Sequence, residues 1–427
     1  MPAAAKNSPV SAAALAWLAA SVFYFYQYAL RSAPSVMLPQ LGDTFGLGAA
    51  ALAGLVGLFY FGYAPFSLVA GMAMDQFGPR RIVPVAAALV GIGALLFGSA
   101  DPTLARVGRF LQGAGGVFSL ISAVYIATNH FPANRGATLV GATQMFGMAG
   151  GSAGQFLVGA AITGGLVWSH FWIHAGVAGL VIAGLLFAFI PSTKIQQRPF
   201  GERMKQAAAA LGAVFRNPQS WLCGLIAGLL FVPTTIFGMV WGVRFLEEGH
   251  DLSYGMAVMR SAAVPFGWII GCPLLGLLSD RIGRRKPVII GSALVLLACL
   301  LFILFRPTGV FPPFSLGLIA GIASGAAMLP YTIIKEANRP EHSGTATGVI
   351  NFLNFSLTAA LGPVLGTSLM RASGGGQRAL EHYQTAFEPL CYGIAAAIIL
   401  TLLLKETGPR SRADPAATLS KHPQGAS

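Results

Sequence analysis

The sequence predicts an all-α membrane protein of about twelve transmembrane helices, arranged as two pseudo-symmetric six-helix bundles. Three observations carry this. Charged residues make up 10% of the chain and hydrophobic ones 55%, whereas a soluble domain carries about 25% charged residues. Apolar runs of the length that crosses a bilayer as a helix, about 20 residues, recur from end to end. Two similar polar stretches also stand roughly half a chain apart, GMAMDQFGPRR at 71–81 and GLLSDRIGRRK at 276–286.

The elements follow in order. The run at 12–38 comes after Lys6 but is too long, and too rich in aromatic and polar residues, for a cleaved leader; it is expected to remain as the first span. Runs at 50–72, 82–100, 103–128, 137–162 and 168–190 complete a first bundle over 1–191. The longest polar interruption, 192–218, is expected to be a central loop. Runs at 219–246, 255–278, 287–305, 312–335, 344–370 and 384–404 form a second bundle over 219–405. The tail 406–427 is polar and rich in Pro and Ala, a composition expected to stay disordered.

Lys and Arg concentrate on the side that carries both termini and the central loop: Arg80, Arg81, Lys194, Arg203, Arg284, Arg285 and Lys405 all fall there. The positive-inside rule then places that side in the cytoplasm of a multi-pass inner-membrane protein. The net charge of +13 is therefore a matter of topology; no stretch outside the apolar runs interleaves bases with stacking aromatics, so nucleic acid is not an expected partner. Cys223, Cys272, Cys299 and Cys391 lie in apolar runs and read as small hydrophobes. No nucleophile–base or acid–base constellation suggests an enzyme, and neither a cofactor nor a metal is expected.

The two polar stretches have a physical logic of their own. Gly71 and Gly276 end a span where a neighbouring helix can come close. Asp75 and Asp280 sit at helix ends, placed to cap a helix or pair with arginines. Gly78 and Gly283 permit tight turns, and Arg80, Arg81, Arg284 and Arg285 anchor the loops at the interface. A second echo links RGATLVGATQ (135–144) with SGTATGVIN (343–351), as a duplicated bundle requires.

Both loops resemble the signature G-x-L-x-D-R-x-G-R-[RK] of the major facilitator superfamily, a likeness extending over residues 12 to about 405. The resemblance implies a transporter in which Asp75, Asp280, Arg281 and their neighbouring arginines latch the two halves together in the outward-facing state. The first loop departs from the signature, with Gln76 in place of Arg and Pro79 after the second glycine, so its latch is expected to be weaker, or to be oriented by Arg80 and Arg81 alone. In the fourth run, RVGRFLQGAGGVF resembles the family's R-x-x-x-G-x-G segment. That likeness implies an inward-facing Arg109 beside close-packing Gly113 and Gly115; the alternative is an arginine reaching the nearby surface. The fifth run lacks the Gly-Pro pair that marks drug/proton antiporters of the family.

Cargo is addressed by the first run. YALRSAPSVMLPQL resembles the corresponding segment of the organophosphate/phosphate antiporters and anion:cation symporters, where an arginine contacts the anionic substrate. The likeness falls on Arg31, with Tyr24 and Tyr28. Residues 24, 28 and 31 also share one helix face, and Gln27 lies beside them. A guanidinium facing a wet cavity suits carboxylate or phosphate; one near the membrane surface snorkels instead. Gln144, Asn351, Asn354 and Trp241 are further candidate substrate contacts, with interhelical packing as their other use. No Asp or Glu lies near the middle of a run, and His174 is the sole titratable candidate for a proton relay.

The expected function is secondary transport of a small organic anion, a carboxylate, by alternating access of a monomer in the lipid bilayer. A proton or a counter-anion is the expected coupling partner. An amino acid or other zwitterion is the alternative cargo, and a non-transporting membrane sensor the alternative from another class.

Overall fold

The computed structural model describes residues 10–131, 133–191, 200–306, 312, 314–374 and 376–408. Twelve of its helices are long and apolar enough to cross a membrane. The first six are α1 (Val10–Ser32), α2 (Ala49–Phe77), α3 (Pro79–Gly98), α4 (Pro102–His130), α5 (Ala133–Thr163) and α6 (Trp168–Phe189). The second six are α7 (Pro218–Gly249), α8 (Tyr254–Ile282), α9 (Lys286–Phe305), α10 (Ser315–Ala337), α11 (Ser343–Ala372) and α12 (Leu380–Leu403). No strand occurs among the described residues.

Helix starts follow from local chemistry. Asp101 precedes Pro102 and its Oδ1 accepts from the backbone N–H of Thr103 at 2.9 Å and Leu104 at 2.8 Å, which satisfies two orphan donors of α4. Asn217 repeats the device before Pro218, accepting from Gln219 N at 3.0 Å. Gly78 (φ 78°) and Gly283 (φ 71°) close α2 and α8 in backbone conformations that a side chain would strain.

Three segments differ from expectation. The first run does not continue as one α-helix to residue 38: Pro34 sits in a 3₁₀ turn, Ala33–Val36, followed by a short helix, Leu38–Phe45. The central stretch 192–218 is not all loop, since its Ala-rich part forms a helix, Phe200–Phe215, in keeping with the high helix propensity of alanine; positions 192–199 lie outside the described residues, as does the tail beyond 408. Finally, α7 is π-helical over Pro233–Trp241 and Phe245–Gly249.

The halves echo one another in packing. In the first, α4 lies so close to α2 that a Cβ on Gly113 would stand 1.9 Å from the Phe59 carbonyl oxygen. In the second, α10 crosses α8 with Gly321 in the same role, 2.0 Å from the carbonyl oxygen of Val264. Between halves run two seams, α2 against α11 and α5 against α8. At the end away from the termini, Gln155 Nε2 of α5 donates to Ser35 Oγ (3.0 Å) and to the Gly238 carbonyl of α7 (2.7 Å). Tyr254 Oη of α8 donates to the Val36 carbonyl at 2.8 Å.

Candidate functional site

Helical periodicity in α1 aligns Tyr24, Gln27, Tyr28 and Arg31 on one stripe. Arg31 is 1% exposed, and its guanidinium carbon is enclosed by rings. It lies 4.1 Å from the centroid of Tyr28, 4.8 Å from Phe59, 5.7 Å from Tyr60, and 5.0 Å from both Tyr63 and Phe355. Phe59, Tyr60 and Tyr63 belong to α2, whereas Phe355 belongs to α11 of the other half. Nη2 donates to Gln27 Oε1 at 3.4 Å, while Nε and Nη1 are buried without a hydrogen-bond partner. Each desolvated cation–π contact returns about 2 kcal/mol against the several kcal/mol that burying an ion costs, but ring faces supply neither a counter-charge nor acceptors for Nε and Nη1. The guanidinium therefore keeps directional donors that an anion could take.

Against this cage lies a small cavity between the halves. Tyr24, Tyr28, Tyr63 and Gln144 line it from the first half, and Trp268, Met328, Tyr331, Asn351, Asn354 and Phe355 from the second. Arg31 and Gln27 stand one layer back, behind the rings of Tyr28, Tyr63 and Phe355. Tyr24 Oη donates to Gln144 Oε1 at 2.9 Å. On the opposite wall Tyr331 Oη donates to Asn351 Oδ1 at 2.7 Å, and Asn354 Nδ2 donates to Tyr331 Oη at 3.1 Å. No carboxylate lines the cavity among the described residues.

Several candidates lie elsewhere. Arg109 is fully buried but built into the first half, because Nη1 donates to the Leu30 carbonyl (3.2 Å) and Gln112 Oε1 (2.7 Å), and Nη2 to the Val56 carbonyl (3.3 Å). It does not line the cavity, and it binds α1, α2 and α4 together instead of reaching the surface. Trp241 is buried in the π-helical part of α7, away from the lining. The lining tryptophan is Trp268, whose Nε1 donates to Thr234 Oγ1 at 3.0 Å. His174 is exposed on α6 and does not reach the cavity.

The sequence reasoning missed Phe59, Tyr60, Tyr63, Phe355 and Trp268. A signal existed for two of them, since LFYFGY at 58–63 sets Phe59 and Tyr63 four residues apart on one helix face. Phe355 and Trp268 carried none beyond being aromatic.

The two signature loops differ in what they bind. Arg285 donates from Nε and Nη2 to both oxygens of Glu336 (3.2 and 3.0 Å) and from Nη1 to Asp280 Oδ1 (2.9 Å). These partners all belong to the second half, so the described contacts of this loop tie α8 and α9 to α10 and do not bridge the halves. Opposing charge and these hydrogen bonds outweigh burial and raise the Arg285 pKa further. Arg281 and Arg284 are exposed, and a Cβ on Gly276 would meet nothing within 4 Å, so no close helix contact exists there. In the first loop Arg80 lies over the Phe187 ring at 5.3 Å and Arg81 is exposed. Gly71 and Asp75 fall within α2, but their side chains lie outside what is described.

Comparison with known proteins adds a family. A family model described as "Major Facilitator Superfamily" matches residues 20–363. The chain is 25% identical over 366 residues to the "Hexuronate transporter" of Bacillus subtilis, covering 79% of this chain and 83% of that one. It is 24% identical over 278 residues to the "Probable sulfoacetate transporter SauU" of Cupriavidus necator, covering 62% of this chain and 64% of that one. A bacterial homologue of the human lysosomal transporter Spinster, solved in an inward-facing, unoccupied conformation, superposes with a TM-score of 0.70 at 17% identity. That likeness covers 93% of this chain and 96% of the other, and bears on the fold alone.

Proposed function

Because the chain belongs to the Major Facilitator Superfamily, and is thus a multi-pass membrane transporter and not an enzyme, we propose that its cargo is a small organic anion, a carboxylate, received by Arg31. One observation carries the reading: a fully buried guanidinium, with two nitrogens lacking hydrogen-bond partners, set against the wall of the cavity between the halves. Relatives named for transport of hexuronate and sulfoacetate, both organic anions, support it.

The cage supplies a route from binding to movement. Phe355 comes from α11 and the other four rings from α1 and α2, so relative motion of the halves withdraws one wall from the guanidinium. An anion entering there gains the bidentate, charge-assisted contact that a planar guanidinium offers and holds the two halves to a new relative position. The transporter works by alternating access in the inner membrane, with both termini cytoplasmic, as the distribution of Lys and Arg favours. Members of the family bind small molecules and typically work as monomers, the unit expected here. A latch through Asp75, Arg80 and Arg81 in one loop and Asp280 and Arg285 in the other would need contacts between the halves that Arg285 does not make in this conformation.

Uptake of labelled hexuronate, sulfoacetate and a neutral amino acid into proteoliposomes tests the reading. The acids are expected to be carried and the amino acid not, with Arg31→Gln lowering acid uptake at least about a hundredfold. Undiminished acid affinity in Arg31→Gln would overturn the assignment. Imposing a pH gradient, and separately preloading with the same acid, distinguishes proton coupling from anion exchange.

A further inference from the structure

Arg31 states the sign of the cargo; the wall across the cavity states something about the rest of it. Resting on the reading above, we propose that the cargo is a hydroxylated acid and that Asn354 selects for the hydroxyl group.

The argument is one of donors and acceptors. The single proton of Tyr331 Oη is committed to Asn351 Oδ1 at 2.7 Å, and Asn354 spends an Nδ2 proton on Tyr331 Oη at 3.1 Å. The direction of this chain leaves Asn354 Oδ1 as an acceptor, buried and without a hydrogen-bond partner, on a residue 3% exposed. The chain can also run the other way, with both amides turned over and the tyrosine proton passing to Asn354, and in either direction one buried polar atom of Asn354 is left unpaired, which is expensive. Asn354 therefore asks the cargo for a group that hydrogen-bonds as donor or acceptor, and a hydroxyl does both.

Two donors are common on small acids, a hydroxyl and an ammonium. The cavity distinguishes them. Among the described residues no carboxylate lines it, and Arg31 stands one ring behind its wall, 4.1 Å from the centroid of Tyr28. An ammonium would enter a cavity already positive and find no counter-charge, whereas a hydroxyl is neutral and satisfies the acceptor at no electrostatic cost. A hydroxylated acid would set its carboxylate toward the cage and its hydroxyls toward the three polar side chains, in space that widens as the halves move apart. A site built around a substrate hydroxyl rejects the analogue lacking it, because its own polar group is then left unpaired.

Binding to the purified full-length protein tests this, followed by tryptophan fluorescence, since Trp268 lines the cavity. The probes are three six-carbon acids: gluconate, hexanoate and norleucine. Gluconate is expected to bind at least about tenfold more tightly than hexanoate or norleucine. Asn354→Leu is expected to bring gluconate and hexanoate within about twofold of each other. The wild-type comparison involves no variant, so it stands even if Asn354→Leu fails to fold. Equal binding of gluconate and hexanoate by the wild type, both lost in Arg31→Gln, would overturn the hydroxyl inference and leave the anion reading standing. Tighter binding of norleucine would likewise overturn the inference. Binding of none of the acids, or acid binding indifferent to Arg31→Gln, would overturn both.

Discussion

Arg31 and Arg109 are both fully buried in the first half, and among the described residues neither makes an ion pair. Their surroundings nevertheless differ. Arg109 gives its Nη hydrogens to two backbone carbonyls and a glutamine, which fixes where α1, α2 and α4 cross. Arg31 is surrounded by ring faces, which attract a cation without taking its hydrogens. Rings lie near Arg109 too, Phe59 at 5.3 Å, Phe97 at 5.8 Å and Trp172 at 6.0 Å, and its Nε is also without a partner. Both of its Nη groups are tied down, however, whereas Arg31 keeps Nη1 as well as Nε to offer. On the proposed reading the same residue type in the same bundle is a rivet in one place and a receptor in the other.

Removing each side chain is the strongest way to break this comparison. Arg109→Leu leaves the Gln112 amide and two carbonyls without their donor, a loss on the order of 2–4 kcal/mol. Lower expression and a lowered melting temperature are expected, with transport lost as a consequence. Arg31→Gln is expected to do the reverse, abolishing transport with the melting temperature little changed or raised, because deleting an unmatched buried charge relieves its desolvation. Melting curves beside uptake rates for the two variants decide the matter. A strongly destabilised Arg31→Gln would show that the cage is a rivet as well.

A finer probe keeps the charge and alters its shape. Arg31→Lys retains a cation but replaces the planar fork by a point charge, so anion affinity is expected to fall by about one to two orders of magnitude, corresponding to about 1.4–2.8 kcal/mol. Arg109→Lys lacks the reach to serve three acceptors at once and is expected to destabilise more than Arg31→Lys does, read by melting temperature.

Much of the frame was legible in the sequence: apolar runs and duplicated loops give twelve spans in two halves, and Arg31 stands out as an ionisable group within one of them. The difference between Arg31 and Arg109 was not legible. It depends on which backbone carbonyls and ring faces arrive from other helices, and that depends on how closely α4 approaches α2. Gly113 hints that the approach is close, but it does not say that the Val56 carbonyl points at Arg109. Trp241 illustrates the same limit, because a tryptophan in a span can pack or line, and the π-helical winding of α7 that buries it has no signature in composition. Phe355 completes the cage from 324 positions along the chain by numbering, a contact that exists only once the halves are docked.

The smallest effects are expected at a third arginine, Arg285, where charge is matched twice. Glu336→Gln removes one of its two carboxylate partners and leaves Asp280 in place, and Glu336 also accepts from Thr407 Oγ1 at 2.6 Å. Arg285 and Glu336 are largely buried, but the amide oxygen of the glutamine and Asp280 still accept from the guanidinium, so the loss is expected to be about 1–2 kcal/mol, read by melting temperature. Beside it Glu406 takes the backbone N–H of Arg285 at 2.7 Å and of Lys286 at 3.1 Å, fastening the segment after α12 to the start of α9. Burial pushes the Glu406 carboxyl up, but hydrogen bonds from Arg285, Lys286, Gly408 and Thr407 outweigh this and hold it below the usual carboxylate range. A carboxyl lowered by folding adds stability above its unfolded pKa, about 4.3, and loses it as pH falls through the lowered value. Protection of the amides at the start of α9, that is, exchange relative to its intrinsic rate at each pH, is therefore expected to hold from neutral pH down to about pH 5 and to fall only in stronger acid. In Glu406→Gln protection should be lower throughout and lack that acid step, while acid uptake, which the proposed reading assigns to the cage around Arg31, stays within about twofold of the wild type.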